Sequence, residues 1–166
     1  MCKDTITMII SLATILLSIA TFTIAYSQMK IASAKTKLDL YNKRFNVYVT
    51  ALDYYQATWH EPHEKIKEKS IEFTKSYRES QFLFDSNNGV YETLGKIQQN
   101  GAKIYAYEKY KYESENNLTK DRLDLNTMHE SSVTALFDFE KNLHILEKQI
   151  DKYIQFKTIT GWKFFR

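Results

Sequence analysis

The pattern of apolar and polar positions divides the chain into an uncharged N-terminal run and a longer segment with regular apolar steps. Residues 5–26 contain no charge, proline or glycine. As a helix they reach about 33 Å, which matches the roughly 30 Å apolar thickness of a bilayer. We therefore predict a single membrane-spanning helix over 5–26, a short extracytoplasmic N-terminus at 1–4, and a cytoplasmic helical domain at 27–166.

Beyond the membrane helix, apolar residues alternate at steps of three and four, the spacing of a helical seam. No helix breaker occurs before residue 59, so the membrane helix is expected to continue into the cytoplasm as one rod. The pattern leaves open whether the seam is covered within one chain or by a second subunit. The predicted bundle seam comprises Leu38, Tyr41, Phe45, Tyr48, Leu52, Tyr55 and Trp59.

Three further helices follow, because Pro62 ends the rod and suits the first turn of the next helix. We expect helices to about Gln81, from about Val90 to Glu113, and from about 121 or 126 to Thr158. Four apolar stripes are enough to enclose one another, so the sequence predicts an all-α antiparallel bundle of about four helices. The expected inner positions of the added helices are Ile66, Ser70, Phe73 and Tyr77; Val90, Leu94, Ile97, Gly101 and Ile104; and Leu136, Phe139, Leu143, Leu146, Ile150 and Tyr153.

Two apolar segments lie between or after these helices. Residues 82–84 precede turn-forming residues and are expected to tuck under the bundle. The aromatic tail at 161–166 either docks on the bundle or touches the membrane surface.

Charge near the N-terminal run sets the expected orientation. The run is longer than the 7–15 apolar residues of a cleaved signal, and only Lys3 precedes it, beside Asp4, so a retained anchor is favoured over a signal peptide. Positive charge after the run keeps that side in the cytoplasm, so a single-pass protein with a cytoplasmic C-terminal domain is expected. The excess of lysine over arginine and the abundant Asn, Ile and Tyr indicate a bacterial gene, which makes the bacterial inner membrane the expected location. The residues assigned to topology and headgroup contact are Lys30, Lys35, Lys37, Lys43 and Arg44.

Small and hydroxyl side chains form one stripe along the membrane helix. Such a stripe is typical of helices that associate in lipid, so a homo-oligomer is expected. Two other interpretations stay open: hydroxyls that bond to their own helix in a lone anchor, and a hydroxyl-lined pore. This predicted packing face comprises Thr7, Ser11, Thr14, Ser18, Thr21 and Ala25.

The sequence contains few candidate catalytic or ligand-binding residues, and its composition argues against polyanion binding and an internal disulfide. The net charge of +3 does not indicate a strong polyanion-binding surface, and the single cysteine cannot form an internal disulfide. His60 and His63 are separated by Pro62 and lack a metal-binding partner motif, so a polar turn is expected. We predict no enzyme, no cofactor and no metal.

One stretch interleaves lysine and tyrosine and is the candidate for nucleotide or nucleic-acid contact. Such residues can stack bases and neutralise phosphates, but few lysines are present and the tyrosines point several ways on a helix. A tyrosine-rich bundle surface is the favoured interpretation, and nucleic acid is not an expected partner. The candidate positions are Lys103, Tyr105, Lys109 and Lys111.

Two short blocks, KLDLYNKRFNVY at 37–48 and QFLFD at 81–85, resemble a set of small single-pass bacterial membrane proteins with a "KLDLFDKRFxVY…FLF" signature. Most of that set is uncharacterised, and some members resemble the membrane effectors of retron and other anti-phage systems. Tyr41 and Asn42 stand where that signature has Phe and Asp. The resemblance implies a non-enzymatic membrane effector with a helical sensing or binding domain and an unknown cytoplasmic partner. The alternatives are a passive anchor or scaffold and a nucleotide-responsive membrane receptor.

Overall fold

The fold is all-α, as the apolar periodicity predicts. A computed structural model describes residues 2–118 and 124–154, and within these ranges it contains no strand. Its helices are α1 (Cys2–His60), α2 (His63–Leu83), α3 (Val90–Glu115) and α4 (Leu125–Ile154), with a 3₁₀ turn at Ser86–Asn88. The described chain divides within α1 into two compact units, one ending at Asp39 and the other beginning at Leu40.

Each connection between helices has a local cause. Pro62 lies just before α2, and its carbonyl accepts the amides of Lys65 at 2.9 Å and Ile66 at 3.2 Å, which fixes the start of that helix. Before α3, the Asn88 side chain accepts the Val90 amide at 2.9 Å, and Gly89 has a φ of 74°, a left-handed conformation that glycine adopts readily. The predicted break at Pro62 is therefore confirmed.

A carboxylate caps the last helix. Asp124 accepts the Asn126 amide at 3.0 Å and the Thr127 hydroxyl at 2.7 Å, and these hydrogen bonds lower the pKa of its carboxyl. An acceptor at this position satisfies amides that the first helical turn leaves unpaired. The helix start at Leu125 agrees with the later of the two predicted starts.

All four helices contribute to the core of the second unit. The Tyr54 ring of α1 lies 5.4 Å from Phe73 of α2 and 5.4 Å from Phe139 of α4, and it also faces Gly101 of α3. Tyr54 is 2% exposed, and burial raises the pKa of its phenol. Predicted inner positions that are buried are Ile66, Phe73, Tyr77, Val90, Leu94, Ile97, Gly101, Ile104, Phe139, Leu143, Leu146 and Ile150.

The buried face of α1 differs from the predicted seam. Its fully buried apolar residues are Val47, Ala51 and Tyr54, each next to a position of the predicted seam. Three predicted seam residues are partly buried and pack against the edge of the core: Tyr48, Leu52 and Tyr55. Tyr41 is also partly buried. The remaining three are exposed: Leu38 at 49%, Phe45 at 39% and Trp59 at 49%. The seam prediction is thus displaced around the helix by one residue.

The apolar segment after α2 is buried in part. Phe84 is 8% exposed and Leu83 packs against the core, whereas Phe82 is 82% exposed. The predicted tucking of 82–84 therefore applies to two of its three residues. The predicted docking of the tail at 161–166 lies outside the described residues.

Candidate functional site

The apolar part of α1 lies wholly on the surface of its unit. The structure has one described helix that is long and apolar enough to cross a membrane, with a mean hydropathy of 2.2 over its most apolar window and none of that window buried. The large apolar side chains of this part are each 56% to 74% exposed. They are Ile6, Met8, Ile9, Ile10, Leu12, Ile15, Leu16, Leu17, Ile19, Phe22 and Ile24.

The predicted packing face uses its hydroxyl groups within its own helix. Ser11 donates to the Thr7 carbonyl at 2.9 Å, Thr14 to the Ile10 carbonyl at 2.8 Å, and Ser18 to the Thr14 carbonyl at 2.8 Å. This geometry fits a lone anchor, because each donor is satisfied without a second helix. Thr21 and Ala25 continue this face. The Thr21 hydroxyl donates to the Leu17 carbonyl at 3.0 Å, and Ala25 is exposed.

The basic residues after the apolar part fall into two groups. Lys30, Lys35, Lys37 and Lys43 are exposed, and the Lys30 ammonium lies 4.8 Å from the centre of the Tyr26 ring. These four side chains are therefore accessible to solvent.

Arg44 differs from the lysines because it is built into the bundle. Its Nε donates to the Leu83 carbonyl at 2.8 Å, and its guanidinium lies 4.7 Å from the Tyr153 ring and 5.9 Å from the Phe84 ring. The first contact satisfies a carbonyl at the end of α2, and the ring contacts are cation–π interactions. Arg44 therefore joins α1 to two other elements, a role that the sequence analysis did not predict, and its part in topology and headgroup contact stays a prediction.

Polar side chains around Arg44 complete a cluster that sequence reasoning missed. The Tyr153 hydroxyl donates to Asp85 Oδ2 at 2.8 Å and accepts from Asn88 Nδ2 at 2.9 Å. These groups come from the loop after α2 and the last turn of α4. The sequence singles out three members of this cluster separately, without indicating that they meet: Arg44 in the 37–48 block, Asp85 in the 81–85 block, and Tyr153 among the expected inner positions of the last helix.

A second polar chain links α1 to α4. The Tyr48 hydroxyl donates to Glu147 Oε1 at 2.6 Å, and Glu147 Oε2 lies 3.0 Å from Nδ1 of His144. Burial and the neighbouring Glu147 carboxylate raise the pKa of Tyr48 to about 12. The hydrogen bonds from Tyr48 and His144 lower the pKa of Glu147. This arrangement stabilises the contact between α1 and α4.

The members of the candidate lysine–tyrosine patch differ in burial and in their contacts. Lys109 pairs with Glu113 at 3.7 Å, while Lys103 and Lys111 are exposed. Tyr105 packs against the core, with its ring centre 6.5 Å from that of His63. Lys109 and Tyr105 contact different neighbours, and nucleotide contact by this patch stays a prediction.

His63, at the start of α2, contacts aromatic neighbours. His63 Nδ1 lies 3.3 Å from Glu64, and the His63 ring centre lies 4.7 Å from that of Tyr112. The side chain of His60 lies outside the described residues. Among the residues that the structure describes, no three His, Cys, Asp or Glu side chains are grouped to hold a metal ion.

Comparison with known proteins adds no assignment: no family model matches the chain, and neither the curated proteins nor the solved structures contain a significant match. The candidate site is therefore the exposed apolar part of α1.

Proposed function

We propose that the chain is a non-enzymatic, single-pass protein of the bacterial inner membrane whose helical domain binds a partner in the cytoplasm. The observation that carries this proposal is the full exposure of the apolar part of α1. None of the most apolar window of α1 is buried within the described residues, which supports its placement in lipid.

The free energy of transfer of these side chains from water strongly favours lipid. Removing a large aliphatic or aromatic side chain from water is worth about 1.5 to 3 kcal/mol. A run of such residues, each more than half exposed, adds up to on the order of 10 kcal/mol or more, which exceeds the stability of many small domains. Placing residues 5–26 in the bilayer relieves this cost without any protein partner.

Charge supports the orientation. Four exposed lysines follow the apolar run, whereas Lys3 is accompanied by Asp4 before it. An excess of Lys and Arg near a membrane helix marks its cytoplasmic end. The proposed orientation therefore places the residues from Leu40 onward inside the cell.

The membrane assignment is tested by fractionation of cells that express the full chain. The parent protein is expected to stay in the membrane pellet after an alkaline carbonate wash, with an intact mass of 19.6 kDa. A variant with Leu16→Lys and Leu17→Lys is expected to leave the pellet, because lysine at the centre of a membrane helix costs about 2.5 to 3.5 kcal/mol per residue. Leu16→Ile with Leu17→Ile is the matched control. Recovery of the parent in the soluble fraction without detergent would overturn the proposal.

Orientation is tested with the single cysteine of the chain. A membrane-impermeant maleimide is expected to label Cys2 in intact cells. With Cys2→Ser and Ser131→Cys, where Ser131 is exposed on α4, labelling should require permeabilised cells. The reverse labelling pattern would place the helical domain outside the cell.

We further propose that the protein acts as a membrane effector of an anti-phage, abortive-infection type. The supports are the resemblance of the 37–48 and 81–85 blocks to such effectors and the one-sided face of small residues in the membrane helix. On this proposal, copies assemble through that face and impair the membrane when released by a trigger. A passive anchor or scaffold is the alternative, and it needs only the apolar run.

Measurement of the membrane potential distinguishes the membrane effector from the passive anchor. Induced expression of the parent is expected to lower the potential reported by a voltage-sensitive dye, and Ser11→Leu with Ser18→Leu should prevent the loss. Thr23→Leu is a matched control, since Thr23 also bonds to its own helix, at 2.8 Å to Ala20, but lies off that face. If the potential is unchanged, or if an unrelated membrane helix in place of 5–26 preserves the function, the anchor interpretation stands instead.

A further inference from the structure

We propose that an exposed stripe on α2 is the surface that binds the partner, and that the partner contributes an acidic helical segment with apolar side chains. We define the α2 stripe by five positions at steps of four, four, three and four: Lys67, Ile71, Lys75, Arg78 and Phe82. The inference deepens the proposed binding of a cytoplasmic partner and rests on that part of the proposed function. It uses only residues of the second compact unit of the chain.

The α2 stripe lies on the solvent side of its helix. At 100° per residue, its five positions fall within an arc of about 80°, and Ile71 is turned by about 200° from Phe73, which is fully buried in the core. All five side chains are exposed. Phe82, at 82%, is the most exposed large apolar side chain in the described part of the protein. Two exposed apolar residues therefore share one face with three cations.

The three cations of the α2 stripe form no ion pair with a carboxylate of the described residues. The guanidinium of Arg78 contacts neutral groups instead: its Nη1 donates to the Tyr91 hydroxyl at 3.3 Å, and its Cζ lies 5.4 Å from the centre of the Tyr77 ring. Lys67 and Lys75 are exposed. An acidic partner would complement this positive charge.

The carboxylates next to the α2 stripe all lie on one of its flanks. Two of them, Glu68 and Glu72, pair with lysines outside the stripe at 2.9 Å and 2.7 Å, and Glu79 is exposed on the same flank. The nearest positions on the opposite flank, Thr74 and Gln81, are uncharged. A narrow segment that contacts the stripe and the uncharged flank meets positive charge, whereas a broad polyanionic surface also meets the glutamates. The arrangement favours an acidic protein segment over a nucleic-acid duplex or an anionic membrane.

The two apolar residues set the expected form of the segment. Ile71 and Phe82 are eleven residues apart, about 17 Å along the helix, and two of the cations lie between them. A partner helix with apolar residues about three turns apart and carboxylates between them matches this order. The apolar contacts would supply affinity, and the charges would set specificity and the rate of association.

The rest of this chain does not supply such a segment at its C-terminal end, because residues 155–166 contain two lysines, one arginine and no acidic residue. Pairing of two copies through equal α2 stripes would place like charges against each other, which is unfavourable. The expected occupant is therefore another protein.

The test is fluorescence anisotropy of labelled model peptides added to the full chain in a maltoside detergent. The probe is an amphipathic helical peptide with leucines eleven positions apart and glutamates between them, and the same peptide with glutamine in place of glutamate is the neutral comparison. The acidic peptide is expected to bind about tenfold more tightly than the neutral one, because it adds several exposed ion pairs. This difference should shrink as the salt concentration rises.

Substitutions in and beside the α2 stripe should act in opposite directions. Lys75→Gln with Arg78→Gln is expected to weaken binding of the acidic peptide severalfold and to leave the neutral peptide unaffected. Phe82→Ser should weaken binding of both peptides, since it removes an apolar contact. Glu79→Gln should strengthen binding of the acidic peptide, because it removes the exposed carboxylate on the flank of the stripe. The circular dichroism spectrum should stay unchanged in each case.

The matched control is Lys141→Gln with Lys148→Gln on α4. It removes the same charge beside another exposed apolar residue, Phe137, and should leave the affinity for the acidic peptide unchanged. Equal losses in the α2 and α4 variants, equal binding of the two peptides, or no binding of either would overturn the inference. Tighter binding of a thymidine oligonucleotide that the same α2 substitutions abolish would also overturn it, in favour of nucleic acid.

These outcomes are separate from the membrane assignment. Failure of the peptide to bind leaves the fractionation result intact. Recovery of the parent protein in the soluble fraction would overturn the membrane assignment and leave the α2 stripe, which lies within the second unit, unaffected.

Discussion

Replacement of Gly101 by alanine is expected to destabilise the helical domain, although alanine is the better helix former. A Cβ atom at Gly101 would overlap Cζ, Oη and Cε1 of Tyr54, far inside van der Waals contact. The Tyr54 ring cannot easily move away, because it is 2% exposed and packs between Phe73 and Phe139. The added methyl group therefore forces a shift of either the ring or the α3 backbone.

The net effect follows from two opposing contributions. Overpacking of a well-packed core costs about 1 to 3 kcal/mol, and an overlap of this depth with a confined ring belongs at the upper end. Alanine in a helix interior gains about 1 kcal/mol over glycine. We expect a net loss of about 2 kcal/mol, which corresponds to a fall of roughly 5 to 10 °C in Tm for a domain of this size.

Gly95→Ala provides the matched control in the same helix. There the added Cβ would lie 3.3 Å from Oη of Tyr77, a tight contact with the end of a side chain, so a change within about 1 kcal/mol is expected. Thermal unfolding of the full chain in detergent, followed by near-ultraviolet circular dichroism, measures both variants. Equal or higher Tm for Gly101→Ala than for Gly95→Ala would refute the close approach of Tyr54 to α3. Tyr54→Leu combined with Gly101→Ala should lose less stability than the sum of the single changes.

Three other substitutions test the polar contacts of the bundle by the same melt. Arg44→Ala is expected to cost about 1 to 2 kcal/mol through the lost hydrogen bond to Leu83 and the lost ring contacts, whereas a role limited to headgroups would leave Tm in detergent unchanged. Tyr48→Phe should cost about 1 kcal/mol and remove the pH dependence of its contact with Glu147. Because the pKa of Tyr48 is raised to about 12, its hydrogen bond to Glu147 contributes fully to stability below pH 10 and is lost as the pH rises towards 12. Because the pKa of Glu147 is lowered, the contribution of its carboxylate is present above the ordinary pKa of a glutamate and declines as the pH falls below that value. Gln149→Leu should be neutral or stabilising, since Gln149 Oε1 is buried without a hydrogen bond in the described structure, and a clear loss of stability would show that this oxygen has a partner.

The helical periodicity of the sequence predicts α2, α3 and α4 well. Each has a single apolar face, so the step of three and four identifies the buried side: Phe73 on α2, Ile97 on α3 and Phe139 on α4 are all fully buried as expected. The predicted starts of α2 and α3 also lie close to the observed starts, because Pro62 and Gly89 impose a local geometry that does not depend on distant residues.

Periodicity fails on α1 because that helix has apolar residues on several sides. The predicted seam through Phe45, Tyr48 and Leu52 fits the same spacing as the buried set Val47, Ala51 and Tyr54. Choosing between them requires the positions of the other helices, which a pattern within one helix does not contain. The shift of one residue is a direct result of this ambiguity.

The Arg44 cluster could not be predicted for a related reason. Arg44 follows Lys43 in the sequence and resembles a solvated basic pair, yet its contacts are Leu83, Phe84 and Tyr153, separated from it by long stretches of chain. Charge patterning describes neighbours along the chain, whereas burial of a cation depends on carbonyls and rings brought there by folding. The assignment of the membrane segment needed no such information, because it depends on length and composition alone.

The hydroxyl groups of the apolar segment have a consequence for the biogenesis of the protein. Ser11, Thr14 and Ser18 each already bond to a carbonyl one turn back, at 2.8 to 2.9 Å. On the proposed membrane function, a newly made chain can therefore enter lipid without carrying these hydroxyl donors unsatisfied into it. Insertion of the segment would then require no partner helix.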